Sequence, residues 1–307
     1  MSRNIREYIV IGLKGVAMGA ADVVPGVSGG TIAFISGIYE ELLGSISNVN
    51  FRLLKTFQKK GFKVAWKQLN GSFLVALFLG IFISIVSLAK TIKYCLENEP
   101  ILLWSFFFGL IVASIIFMGK QVENWNYKLL FLSILGAAFG YIITVISSAV
   151  SIEINYLFLI FAGAIASCAM ILPGISGSYI LLLIGVYPIV MTAITNKDVK
   201  IISAIGIGVI LGLLSFSKLL KWLFTKYKNE MLVILTGIMF GSLNKVWPWK
   251  TTVSTYLNSH GEMKPLLEQS ISPFSFDGDP KLVLSIALAI IGFLIIIGME
   301  KVAQLKK

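Results

Sequence analysis

The chain has 307 residues, 57% of them hydrophobic and 13% charged, about half the charged share of a soluble domain. A soluble globule is thereby excluded. The net charge of +11 does not point to nucleic acid, because the basic residues flank apolar runs; anionic membrane lipid is the more economical partner.

In chain order, residues 8–46 come first as two short apolar pieces, about 8–21 and 31–46, on either side of M-G-A-A-D-V-V-P-G-V-S-G-G at 18–30. A proline and several glycines so close together cannot continue one helix. Each flanking piece is about 14–16 residues, or roughly 21–24 Å, enough to reach the middle of a bilayer and return. Lys14 interrupts the first apolar run, so no cleavable signal is read there. Segment 48–70 carries Arg52, Lys55, Lys59, Lys60, Lys63 and Lys67 among Phe51, Leu54, Phe57, Phe62, Trp66 and Leu69. It reads as a basic amphipathic stretch on an anionic leaflet, an anchor or a recruiter of lipid. Three spans follow, at 72–89, 101–118 and 129–150.

Residues 156–194 then repeat the broken opening around L-P-G-I-S-G-S, followed by spans at 201–217, 231–244 and 282–298 and an outer loop at 247–280. Laid on itself at an offset of 148, the chain matches Gly15/Gly163, Pro25/Pro173, Gly26/Gly174, Ser28/Ser176, Gly29/Gly177, Gly37/Gly185 and Tyr39/Tyr187. At 128 it matches Gly80/Gly208, Lys90/Lys218, Lys93/Lys221 and Gly109/Gly237. Two halves are therefore expected, 1–150 and 151–307, in an all-α polytopic membrane protein. Each half has a re-entrant helix pair plus three transmembrane helices.

Charge decides between a re-entrant pair and a kinked span. If 8–46 dips in and returns, 18 Lys and Arg fall on the inner side and 8 on the outer, as the positive-inside rule requires. A continuous span would export the basic cluster. With a re-entrant pair and three spans, the second half is inverted relative to the first and both termini are cytoplasmic. Inverted repeats with broken helices at mid-depth are transporter architecture.

Half-helices are expected to begin at Thr31 and Tyr179. Their first N–H groups lack intrahelical partners and carry the positive end of the dipole. Gly29, Gly30 and Thr31, with Gly177, Ser178 and Tyr179, thus form two ends suited to a phosphate. The alternative is that the small residues merely allow close helix packing. Asp22 lies opposite Met170 in the repeat. It is read either as the carrier of a coupling proton or cation or as a helix cap. Lys90, Lys93, Lys218 and Lys221 are read as snorkelling lysines or as recruiters of an anionic head group. Cys95 and Cys168 lack metal-type spacing and His260 is the sole histidine, so no metal, cofactor or catalytic residue is expected.

The stretches G-A-A-D-V-V-P-G-V-S-G-G-T with G-I-Y-E, and A-M-I-L-P-G-I-S-G-S with G-V-Y-P, resemble the polyprenyl-phosphate translocase family, once a membrane domain of unknown function. The resemblance covers essentially the whole chain. It implies a protein of the bacterial cytoplasmic membrane that returns undecaprenyl phosphate from the outer to the inner leaflet. The family's signature residues fall on Asp22, Pro25, Gly26, Ser28, Gly29, Gly30 and Thr31, and on Pro173, Gly174, Ser176 and Gly177. Two other readings remain. One is a transporter of a small anion. The other is an enzyme similar to undecaprenyl-pyrophosphate phosphatases, whose P-G-x-S-R-S turns place an arginine where this chain has Gly29 or Gly30 and Gly177 or Ser178. Without that guanidinium a pyrophosphate loses its bidentate clamp.

Overall fold

The computed structural model describes residues 3–23, 27–146, 155–257 and 263–304. The first half contains α1 (Ile5–Val23), α2 (Gly29–Ile35), α3 (Tyr39–Ser47), the short α4 (Phe51–Lys60) and α5 (Phe62–Leu69), then α6 (Gly71–Asn98), α7 (Pro100–Lys120) and α8 (Tyr127–Val145). The second contains α9 (Tyr156–Ile171), α10 (Gly177–Leu183), α11 (Tyr187–Thr195), α12 (Val199–Lys226), α13 (Lys228–Val246) and α14 (Leu282–Gln304). Strands β1 (Lys250–Leu257) and β2 (Met263–Ser270) lie between α13 and α14.

Element ends coincide under the two sequence offsets. A shift of 148 residues lays α2 on α10 and α3 on α11 at both ends, and a shift of 128 does the same for α6 and α12. Packing repeats as well. Helix α1 runs along α6 as α9 runs along α12, while α8 packs on α13 and α14 on α7. The last two pairs exchange partners between the halves, the reciprocity expected of a two-fold relation.

The matched glycines explain these pairings. A Cβ on Gly80 would sit 2.0 Å from the Gly12 carbonyl oxygen, and one on Gly208 would sit 2.0 Å from that of Ile160. Only hydrogen fits there, so α6 and α12 approach α1 and α9 backbone to backbone. The main core runs through α1, α2, α7, α12 and α13, and a smaller cluster forms around Leu159, Val186 and Ile205.

Four helices, α6, α7, α8 and α12, are long and apolar enough to cross a membrane among the described residues, or up to five spans if the bent α10–α11 pair counts as one. This is a multi-pass membrane protein. Helices occupy all six expected span positions, with 147–150 of the third outside the described residues. However, α13 opens on Lys228, Asn229 and Glu230, and the apolar part of α14 is short.

The structure refines three expectations. The arm after each turn is two helices rather than one, because Gly37 and Gly185 adopt left-handed φ of 73° and 74°. In both halves the next amide reaches back five residues, from Ile38 to Ala33 and from Val186 to Leu181, the Schellman stop. The half-helices begin two residues earlier than expected, at Gly29 and Gly177, with Ser28 and Ser176 in extended N-cap conformation. Finally, the segment 247–280, expected as an outer loop, contains the antiparallel β1–β2 hairpin. Its β-branched K-T-T-V-S-T-Y-L run favours a strand, so the chain is mostly but not wholly helical.

Segment 48–70 forms α4 and α5 with no buried residue in α4. Phe51, Leu54 and Phe57 stay exposed beside the lysines. Glu41 fixes the segment to the body by accepting from both Arg3 nitrogens, at 2.6 and 2.7 Å, and from Asn70 at 2.6 Å.

Candidate functional site

The two turns touch. The Ser28 hydroxyl donates to the Met170 carbonyl at 3.0 Å, and the Tyr39 hydroxyl donates to that of Ile171 at 3.2 Å. In return, the Gly174 amide donates to Thr31 Oγ1 at 3.0 Å. A Cβ on Gly30 would come within 2.5 Å of the Ile171 carbonyl oxygen, so glycine there sets how closely the turns approach. Gly174 has φ of +86° with its backbone against Met239 and Ser242, and any side chain would be strained. Pro25 and Gly26 lie outside the described residues.

In the first turn the donors are already used. The Gly29 amide donates to Asp22 Oδ1 at 2.7 Å and the Gly30 amide to Ser28 Oγ at 3.1 Å. At the other end of α2, Lys14 Nζ donates to the Ser36 carbonyl at 2.5 Å. Helix α1 therefore supplies a carboxylate to the positive end of α2 and an ammonium to its negative end, each favourable to the dipole. Thr31 is fully buried.

The second turn has neither charge, because the aligned residues are Ala162 and Met170. Ser176 makes no capping bond; its hydroxyl pairs with that of Ser178 at 2.9 Å. The Tyr179 hydroxyl donates to the carbonyls of Ile143 and Thr144, both at 3.3 Å. Ser176 and Tyr179 line a small cavity with Thr144, Gly174, Ser242 and Lys245, and Lys245 Nζ stands 4.5 Å from the Tyr179 ring centre. Gly177 is packed, since a Cβ there would lie 2.5 Å from the Ala166 carbonyl oxygen. The asymmetry is chemical. The first turn is filled by its own carboxylate, and the second offers hydroxyls and an ammonium.

Asp22 thus has a structural contact, and its removal has a definite consequence. Asp22→Ala leaves the Gly29 amide without an acceptor, costing about 1–3 kcal/mol. Asp22→Asn keeps a carbonyl oxygen and should unfold close to the parent. Thermal unfolding of the three proteins checks this, and an Asn variant as unstable as Ala would show that the charge itself holds the turn.

The lysine pairs stand elsewhere. Lys90 and Lys218 are exposed, and the side chain of Lys93 lies outside the description. Lys221 Nζ meets Ser47 Oγ at 3.4 Å, within a larger contact of α3 on α12. There the Tyr39 ring centre lies 5.2 Å from Phe34 and 5.6 Å from Phe224, and Lys228 pairs with Glu40 at 3.7 Å. Among the described residues, the equivalent surfaces of α11 and α6, with Leu182, Tyr187 and Leu96 aligned on those rings, make no comparable packing.

Sequence reasoning missed Lys245. Its aligned position is Phe117, so the lysine has no counterpart in the repeat. One part of the criterion that singled out Asp22, a charge with no match in the repeat, applies equally to Lys245.

Comparison with known proteins decides the family. The family model described as undecaprenyl phosphate translocase-like matches residues 18–264, from before the first turn to the hairpin. The chain belongs to that family. A polyprenyl-phosphate transporter of Vibrio cholerae serotype O1 is 47% identical over 99% of this chain and all of that protein. A polyprenyl-phosphate transporter of Staphylococcus aureus is 34% identical over 77% of this chain and 85% of its own length. No solved structure matches the chain. These relatives of the translocase-like chain are named as transporters, not enzymes, and among the described residues no group of His, Cys, Asp or Glu could hold a metal ion.

Proposed function

We propose that this chain is a flippase that moves undecaprenyl phosphate or a related polyprenyl phosphate across the bacterial cytoplasmic membrane, from outer to inner leaflet, by alternating access. The family and the names of the relatives support the substrate class. The mechanism rests on one observation: among the described residues the α3–α12 contact has no comparable counterpart between α11 and α6, although the elements repeat end for end. Two inverted halves that can each make this contact, but of which one does, describe one of two exchangeable states. By the charge count the closed side is cytoplasmic, so the second turn is reached from outside.

The chemistry fits a prenyl phosphate. The tail is content in hydrocarbon, so only the head group meets a barrier, which polar turns from opposite faces lower. The phosphate-binding set is Pro25, Gly26, Ser28, Gly29, Gly30 and Thr31 with Pro173, Gly174, Ser176, Gly177, Ser178 and Tyr179. In the present state the second turn receives the phosphate while Asp22 occupies the first. Asp22 is the candidate carrier of a coupling proton or cation, exchanged when it leaves the Gly29 amide. Lys90, Lys93, Lys218 and Lys221 gather head groups at the two faces, and α4 with α5 rests on anionic inner-leaflet lipid.

Orientation is tested by single cysteines. With Cys95 and Cys168 replaced, thiols introduced at Lys60 and at Asn196 should label from opposite faces of intact cells. Labelling of both from one face would end the inverted arrangement and the direction drawn from it.

A further inference from the structure

We propose that Lys245 and Lys250 form a docking site for a phosphomonoester at the outer mouth of the second turn, with Glu268 a resident counter-ion that the arriving phosphate displaces. The inference rests on the flippase reading above and assigns residues that reading does not use.

The site is built from three elements. Lys245 is the penultimate residue of α13, Lys250 opens β1, and Glu268 lies on β2 opposite Thr252. Both ammonium groups meet the same carboxylate oxygen, Lys245 at 3.4 Å and Lys250 at 3.6 Å. The side chains are 15%, 7% and 23% exposed for Lys245, Lys250 and Glu268. Among the described residues, these two sheltered cations therefore share one anion and leave an excess positive charge. Such an arrangement is costly without further compensation.

Part of that compensation is visible. Lys250 Nζ donates to the Lys245 carbonyl at 2.7 Å and stands 4.0 Å from the centre of the Trp104 ring, a short cation–π contact. Burial nonetheless pulls Lys250 down to about 8, against the charge of Glu268, which holds it up. Burial also works against the Glu268 charge, but the two lysines outweigh it and hold the carboxyl below its ordinary value. One carboxylate is an incomplete partner for two ammonium groups. A phosphomonoester carries a charge of about −1.5 to −2 at neutral pH and would balance both.

The geometry places the pair beside the second turn, at a cavity with room for about one water. Lys245 lines the cavity that also holds Ser176 and Tyr179, so an anion on Lys245 is already beside the second turn. Ser270 and Asn244 fix the base of the hairpin there: the Ser270 hydroxyl meets the Asn244 side-chain oxygen at 2.9 Å, and the Asn244 amide donates to Thr144 Oγ1 at 2.9 Å. Displacing Glu268 would free β2 from the lysines while that base stays in place.

The test is binding to purified full-length protein of a short-chain prenyl phosphate, inorganic phosphate and the matching prenyl alcohol, with thermal unfolding alongside. Lys245→Gln and Lys250→Gln should each weaken prenyl phosphate binding at least tenfold, and Lys245→Arg should retain it. Glu268→Gln removes the competing anion and should tighten binding severalfold. The alcohol should bind equally to all variants. Weaker binding of inorganic phosphate with the same variant order would assign the site to the phosphate and not to the tail.

A purely structural salt bridge predicts the opposite sign for Glu268→Gln, which would then lower stability and binding together. If the parent binds prenyl phosphate and Lys245→Gln and Lys250→Gln both bind it as tightly while folded, the docking site is overturned and the flippase reading stands. If the parent binds no prenyl phosphate, the flippase reading fails and this inference fails with it. Should Lys250→Gln not fold, Lys245→Gln and Glu268→Gln decide.

Discussion

Tethering α3 to α12 should stop transport almost completely. With Cys95 and Cys168 replaced, Ser47→Cys and Lys221→Cys put one thiol on each of the two helices that the serine hydroxyl and lysine ammonium now join at 3.4 Å. In the proposed alternating-access cycle, a short linker that joins the two thiols would hold the cytoplasmic side closed. Alternating access requires this contact to open once per cycle, whatever happens at the outer face. Initial rates of prenyl phosphate movement should therefore fall at least tenfold on linking and recover when a cleavable linker is cut. Binding from the outer side should survive, because the second turn is not touched. The mirror pair, Thr195→Cys with Lys93→Cys, should link poorly in the resting protein, since among the described residues α11 and α6 do not pack together as α3 and α12 do. Full transport by a protein linked at 47 and 221 would show that this contact is a fixed part of the fold.

The two matched serines should behave differently, although the sequence treats them as equals. Ser176→Ala removes a hydroxyl that lines the cavity and caps no helix. A hydrogen bond to a charged group is worth about 1.5–3 kcal/mol. Loss of one should therefore weaken prenyl phosphate binding by roughly ten- to a hundredfold, with little change in unfolding temperature. Ser28→Ala removes the acceptor for the Gly30 amide and the donor to the Met170 carbonyl. That change should cost about 1–3 kcal/mol of stability, because buried polar groups are left unpaired. Binding isotherms with unfolding curves separate the two effects. Equal loss of affinity in both variants at unchanged stability would mean that the phosphate sits between the turns and not at the second.

Much of the architecture was legible because the repeat made each glycine count twice. Gly15 with Gly163 and Gly80 with Gly208 stand out at fixed offsets, and these are places where helix backbones meet. Gly37 and Gly185 were equally visible as a matched pair. Reading them as helical residues hid the stop within each arm, since the sequence of one arm alone remains apolar throughout. The hairpin went unread for another reason. The segment falls between two spans and is expected as a loop, while the threonine-rich β1 alternation is short and lies outside the repeat. The chemistry of the turns could not be read from matched residues at all. Asp22, Lys14 and Lys245 each lack a counterpart, and which of them reaches which backbone group depends on contacts between α1 and α2, or between α13 and the second turn. Ser28 and Ser176 show the limit well. The same residue at the same N-cap position bonds to α9 in one half and faces a cavity in the other.

The central claim is that the chain carries a prenyl phosphate between leaflets, and vesicle transport tests it most directly. Purified protein is reconstituted into sealed vesicles holding a labelled prenyl phosphate in both leaflets, and the outer pool is followed with a membrane-impermeant reagent that reacts with the phosphate. Without protein, only the outer half should react. With protein, the inner half should become reactive over time, at a rate proportional to protein per vesicle, and the prenyl alcohol should show no protein dependence. No inorganic phosphate should be released from prenyl phosphate or its pyrophosphate. A protected inner pool in vesicles shown to contain folded protein would contradict the flippase reading, and turnover of pyrophosphate would replace it with hydrolysis.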